Sequence, residues 1–291
     1  MRDSSDARFS STFLRWSMLI VVAANLMFIA DYSQLSASPT VAEVLAEYGR
    51  ALVPAGFATA IGAVILMALV GFFYAALRPR RRRIRIYDRL VIPVALASAL
   101  AACWVVAFRH REIGLSVALL AASVVVGSVM FVRVAAVSPG KHSRWLLVPF
   151  SLYLGAMTVA LLAVAPLWVN AEGVLGGAVA GRDDLTIASF VVAAAAGGFV
   201  ALRFRDFVYP GVLAWAMGLA FLARRGEPLG QTALVVGVGL LVVAGLAAVA
   251  LARQPRRELA GGASRRRPDT VRKAGAERWD LTEASTSIMR V

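Results

Sequence analysis

The sequence predicts an all-α integral membrane protein of about eight transmembrane helices. Three observations carry that prediction. Hydrophobic residues make up 59% of the 291 residues and charged residues only 16%, giving a mean hydropathy of +0.73. A soluble domain of this length could not hide so much apolar surface, because folded proteins of this size leave a large fraction of the chain exposed. The apolar residues also fall in runs of about 20, the length a helix rising roughly 1.5 Å per residue needs to cross a bilayer. Arginine-rich segments separate the runs, and a helix is the spanning form that satisfies its own backbone in lipid. The formal net charge of +14 would suggest nucleic acid in a soluble chain. Here the arginines sit at run ends and in a tail, where topology and anionic headgroups account for them, so no nucleic-acid partner is expected.

Residues 1–12 form a short polar tail with Arg2 and Arg8. The first apolar run is Phe13–Ala30, with Arg15 near its start and able to snorkel. Its basic start, apolar core and the small residues of Leu35-Ser36-Ala37-Ser38 also fit a cleaved signal peptide. Val41, Val44, Leu45 and Tyr48 lie at helical spacing and predict a short interfacial helix. The second span, Pro54–Leu77, opens on a proline whose missing N–H costs nothing in a first helical turn. The run from Arg78 to Arg85 stops it.

Further spans read as Leu90–Phe108, Gly114–Val137, Trp145–Val169, Leu185–Leu202, Phe207–Ala223 and Thr232–Ala252. Pro139-Gly140, Gly176-Gly177 and Glu227-Pro228 punctuate them as turns. The stretch Pro149–Trp168 organises the rest. Ser151, Tyr153, Gly155 and Thr158 are its only residues that are polar or smaller than alanine. A lipid-facing helix needs none of these, so this span should form an inward-facing wall. Ala193, Gly197 and Ala201 repeat at four-residue spacing with Gly198 adjacent, and Gly237 and Gly239 thin the last span. Such faces let helices approach closely, within spans six to eight or in a homo-oligomer.

Orientation follows from the Lys/Arg distribution. With the N-terminus inside, cytoplasmic segments collect about 25 Lys/Arg and outer loops about 6. Both termini are therefore expected in the cytoplasm and the protein in the cell membrane. The tail 253–291 is rich in Arg, Pro, Gly, Ala and Ser and is expected to be disordered. Its arginine clusters would meet anionic lipid or simply end the last span as a solvated tail.

Few groups suit catalysis. Asp31, Asp88, Glu112, Glu172, Asp183, Asp184 and Asp206 fall at or outside span ends, so no intramembrane acid marks an ion pathway. His110 and His142 are isolated and expected on opposite sides of the membrane, and Cys103 is the only cysteine. The expectation is a non-enzyme with no catalytic residues, no metal site and no cofactor. Arg203, Arg205 and Asp206 form a polar bridge between spans six and seven. It reads either as a headgroup contact or as a local ion pair of about 0–1 kcal/mol.

Aromatic residues carry the binding expectation. Phe57, Trp104, Phe108, Phe150, Tyr153 and Trp168 lie on spans two, three and five. A cavity between helices lined by aromatics with a few polar tips is the usual form of an apolar-ligand site. The competing reading is an interfacial belt of Trp and Tyr with Phe as core. Trp145 and Trp168 stand at span ends and fit the belt, whereas Trp104 lies nearer mid-span and fits a pocket.

Pro54-Ala55-Gly56-Phe57, the Trp104-to-Phe108 spacing and Pro149-Phe150-Ser151-Leu152-Tyr153-Leu154-Gly155 together resemble the TspO-related tryptophan-rich sensory protein family. The closer likeness is to its longer bacterial branch, with a five-helix TspO-like bundle plus three additional helices. Arg203-Phe204-Arg205-Asp206-Phe207-Val208-Tyr209 and Trp215-Ala216 echo a later pattern of that branch, and the order holds from about Phe13 to Ala252. The resemblance implies a bundle over 13–169, an added membrane segment over 185–252, and binding of porphyrins or other hydrophobic ligands between helices. It carries over Trp104, Phe108, Phe150 and Tyr153, with Phe57, as ligand-binding candidates. Pro54, Gly56, Pro149 and Gly155 would shape the helices around them. Ala156 and Val164 replace a Trp and an Asn of the family pattern, Gly62 and Ile65 stand where Trp and Tyr are frequent, and Ala101 replaces an Asn. The implied pocket is more aliphatic and poorer in donors, which favours a lipid-like ligand over a tetrapyrrole.

Two function classes follow. One is a non-enzymatic sensor or carrier for a hydrophobic small molecule, in contact with membrane lipids. The other is a membrane scaffold acting through its small-residue faces and basic tail, with a transporter of an uncharged solute as a third reading.

Overall fold

The computed structural model describes residues 16–17, 19–25, 27–28, 43–44, 67–72, 74, 86–137, 144–171 and 182–252. All of the regular structure among these residues is helical. Six α-helices follow one another: α1 Ile86–Arg109, α2 Ile113–Val137, α3 Val148–Ala171, α4 Arg182–Phe204, α5 Val208–Ala223 and α6 Pro228–Ala252. Helical residues also stand in both predicted N-terminal spans, at 16–17, 19–25 and 27–28 and at 67–72 and 74, and in the predicted interfacial helix, at 43–44. The architecture is the all-α membrane bundle that the runs of apolar residues predict. Two compact units divide the chain, Met1–Val249 and Ala250–Val291. Of the second, only 250–252 are described, as the last residues of α6. The tails 1–12 and 253–291 and the residues Pro54, Gly56 and Phe57 lie outside the described residues.

Five of these helices are long and apolar enough to cross a membrane, over Leu90–Arg109, Ile113–Ala136, Val148–Val169, Asp184–Phe204 and Pro228–Ala252. The seventh expected span, Phe207–Ala223, is α5, shorter than the other five at 16 residues, about 24 Å of helix against a hydrocarbon core of about 30 Å. Two boundaries also shift. α3 starts at Val148 and not at Trp145, because Arg144–Leu146 wind into a 3-10 turn first. Pro149 then falls in the first turn of α3, where its missing N–H breaks no bond. α6 starts at Pro228, ahead of Thr232, since proline suits a first helical position. Gly226 at φ 89 makes the preceding turn, and the Glu227 N–H donates to the Arg224 carbonyl at 3.1 Å.

α3 is the hub of the bundle, packing against α2, α4 and α5. The larger of two apolar clusters among the described residues runs from Val22, Leu69 and Phe72 in the N-terminal spans through Phe131 and Phe150 to Phe190, Leu213 and Leu240 in the added helices. Because lipid tails are as apolar as leucine, this core is held by close packing and interhelical hydrogen bonds more than by escape from solvent. Asn25 ties the first span to α1 by donating its side-chain N–H to the Ser98 carbonyl at 2.7 Å. The stripe of small residues on α4 is used inside the chain. Ala193 and Ala201 are buried, and a Cβ on Gly197 would meet the side chains of Leu240 on α6 and Leu213 on α5.

Candidate functional site

The candidate residues separate into two groups. Trp104 and Phe108 sit one turn apart on one face of α1, with ring centroids 6.2 Å apart and planes tilted by 38°. Ile113, Val117 and Leu120 repeat at helical spacing on α2 and close over them. Val164 and Trp168 do the same from α3, and Val44 joins from the segment before. A tight turn brings α2 back along α1: the Arg111 N–H donates to the Phe108 carbonyl at 3.0 Å, with Arg111 itself at φ 62.

Trp168, at the end of α3 and read from sequence as part of an interfacial belt, packs against this cluster. Trp145, by contrast, is 77% exposed and fits such a belt. A tryptophan near a span end gives the same sequence pattern in both settings, so hydropathy could not separate the two. The helical spacing of Val164 and Trp168 on the inward wall was the signal available.

The indole Nε1 atoms of Trp104 and Trp168 are both buried and have no hydrogen-bond partner among the described residues. Each such donor, cut off from water and unpaired, costs about 1–3 kcal/mol, and tryptophan N–H groups normally find an acceptor when buried. The cluster thus offers apolar walls and two donors with no acceptor among the described residues.

Phe150 and Tyr153 occupy a different level of α3. Phe150 is fully buried and meets the Phe72 ring edge-on at 4.9 Å and 86°. The Tyr153 hydroxyl donates to the Ala97 carbonyl at 3.3 Å, while its ring leaves only 3.2 Å for a Cβ on Gly127 of α2. Tyr153 pairs with Ala97, and Trp168 clusters with Trp104 and Phe108, so α1 and α3 run parallel. Trp168 lies about 22 Å along α3 from Tyr153 at 1.5 Å per residue. Phe150 and Tyr153 are in the main core, whereas Trp104 packs in the second cluster.

Gly155 shapes a further contact, between α3 and α5. A Cβ there would stand 2.9 Å from the Val212 Cβ. Ser151, buried one turn earlier, donates to the Asp206 carboxylate at 2.7 Å. The same carboxylate accepts the N–H groups of Val208 at 3.0 Å and Tyr209 at 3.3 Å, which satisfies the open N-terminus of α5. The Tyr209 hydroxyl donates to Thr158 at 3.3 Å. Asp206 is only 6% exposed, so it is neither the headgroup contact nor the surface ion pair that its neighbouring arginines suggested. Arg203 lies over the Phe204 ring at 5.5 Å.

No group of three or more His, Cys, Asp or Glu is placed to hold a metal ion among the described residues. Cys103 is exposed on α1, and His110 is exposed at the α1–α2 turn. Chemically, the Trp104–Phe108–Trp168 cluster is suited to holding an apolar body that presents hydrogen-bond acceptors.

A family model described as TSPO-like protein matches residues 12–250, most of the chain. No curated protein and no solved structure matches it. With its long apolar helices and this match over α1–α6 and the spans before them, the chain belongs to the TSPO-like protein family and is a multi-pass membrane protein of TspO type.

Proposed function

We propose that this protein is a non-enzymatic binder of a hydrophobic small molecule, a sensor or carrier in the cell membrane with both termini in the cytoplasm. The ligand sits between α1, α2 and α3 against Trp104, Phe108 and Trp168. One observation carries the reading: two indoles packed on one apolar cluster have buried donors with no partner among the described residues. A ligand with carbonyl, carboxylate or ring-nitrogen acceptors on an apolar frame supplies what those donors lack, which covers both tetrapyrrole-like and lipid-like molecules. In this reading Tyr153, bonded to Ala97 of α1, and Phe150, packed on Phe72, serve the stability of the bundle and not the ligand contact. The scaffold reading finds less support at Gly197, which Leu213 and Leu240 already meet within the chain, and keeps Gly198, which has open space beside it.

Tryptophan fluorescence of the detergent-purified protein tests the assignment, titrated with protoporphyrin, haem and a sterol and fatty-acid panel. Saturable quenching that shrinks in Trp104→Phe supports it. Absence of any saturable response across the panel would sink it.

A further inference from the structure

Pro166 lies inside α3, two residues before Trp168. Having no N–H, it cannot make the helix bond back to the Leu162 carbonyl, and its ring crowds that carbonyl. Interior prolines are where helices kink, and membrane helices tolerate them because neighbouring groups take over the freed backbone. The proline divides α3 unequally. Before it, Ser151, Tyr153 and Thr158 are hydrogen-bonded to Asp206, Ala97 and Tyr209, and Phe150, Leu154 and Val164 are buried. After it only Leu167 to Ala171 remain, about one and a half turns. Leu167, Trp168 and Val169 are each only half-buried.

The end of α1 beside them is tied more firmly. Its turn into α2 closes on bonds from the Arg111 N–H to the Phe108 carbonyl and from the Glu112 N–H to the Ala107 carbonyl, each 3.0 Å. Phe108 and Ile113, on either side of that turn, are both buried in the cluster. The Nε1 atoms of Trp104 and Trp168 are buried as well, so a ligand reaches them only when one wall of the cluster moves. Short segments with few buried contacts open at the lowest free energy. We propose that the last turn of α3 swings about Pro166, carrying Trp168 away from Trp104 and Phe108 and opening the cluster at this end of the bundle. Its use as an entrance rests on the Trp104–Phe108–Trp168 site proposed above. The motion itself belongs to the ligand-free protein.

Hydrogen exchange of the indole N–H groups tests this on the full chain in detergent, labelled with ¹⁵N-tryptophan, free of ligand and transferred into D₂O. Trp104→Phe and Trp168→Phe assign the two signals. In wild type both buried groups should exchange through opening of the hinge, more slowly than the exposed Trp145. Pro166→Val restores an N–H at nearly the volume of proline and should slow both several-fold. Should that variant fail to fold, Pro166→Ala supplies the same N–H in less space. Pro93, the interior proline of α1, lies about three turns before Trp104, and Pro93→Ala should leave both rates as in wild type. Donors that never exchange in wild type would overturn the hinge. Unslowed exchange in the folded Pro166 variant would do the same, as would equal slowing in Pro93→Ala. No ligand enters this measurement, so the fluorescence titration still decides binding by itself.

Discussion

Gly155 of α3 lies directly against Val212 of α5, so close that a Cβ on the glycine would stand 2.9 Å from the valine Cβ. The Ser151–Asp206 and Thr158–Tyr209 hydrogen bonds flank this contact at one-turn intervals on α3. The inward-facing wall of the fifth predicted span therefore looks toward the added helices as well as toward the bundle before it.

Gly155→Leu should consequently be a stability variant. Overpacking a filled interface costs about 1–3 kcal/mol, which thermal unfolding in detergent would register as a lowered Tm. Gly198→Leu, with open space beside it, should leave Tm close to that of wild type.

Asp206→Ala should destabilise by about 1–3 kcal/mol, because it strands the Ser151 hydroxyl and two N–H groups at the start of α5. Ser151→Ala should cost less. A double-mutant cycle on the unfolding free energies should return a coupling of about 0.5–3 kcal/mol; additive effects would contradict the direct bond.

Core and site should respond oppositely to truncation. Phe150→Ala removes a fully buried ring and should cost about 3–5 kcal/mol of stability, with ligand affinity per folded molecule unchanged. Trp104→Phe removes an unsatisfied buried donor, so stability should hold, while affinity falls about fivefold with the loss of one hydrogen bond of about 1 kcal/mol. Unfolding curves and binding isotherms on the two variants separate these effects.

Tyr153→Phe should lower stability by about 0.5–1.5 kcal/mol through loss of the hydroxyl bond to Ala97, and leave binding intact. A loss of affinity as large as that of Trp104→Phe would place Tyr153 in the ligand site.

Much of the fold was legible because lipid imposes a length and a hydropathy that few other solutions meet. α3 stood out as the hub because Ser151, Tyr153, Gly155 and Thr158 have no use on a lipid-facing surface. Which helix receives each of them was not legible, since hydropathy carries no record of neighbours. Asp206 illustrates this: among arginines at a span end it reads as an interfacial charge, and only the approach of α3 shows it to be a buried cap. Phe150 packs on Phe72 and Trp168 beside the Trp104 cluster for reasons of packing that the sequence does not record. An aromatic side chain has the same composition signature in a core, a belt or a pocket, and only packing tells these apart.

The central claim, that the Trp104 and Trp168 indoles donate to a bound ligand, is tested most directly by NMR of protein labelled with ¹⁵N-tryptophan. Six indole N–H signals are available, and Trp104→Phe and Trp168→Phe identify the two of interest. On saturation with a ligand found by fluorescence, both should shift downfield as hydrogen bonds form, with the exposed Trp145 signal unmoved. Binding that leaves both signals where they were would contradict the account.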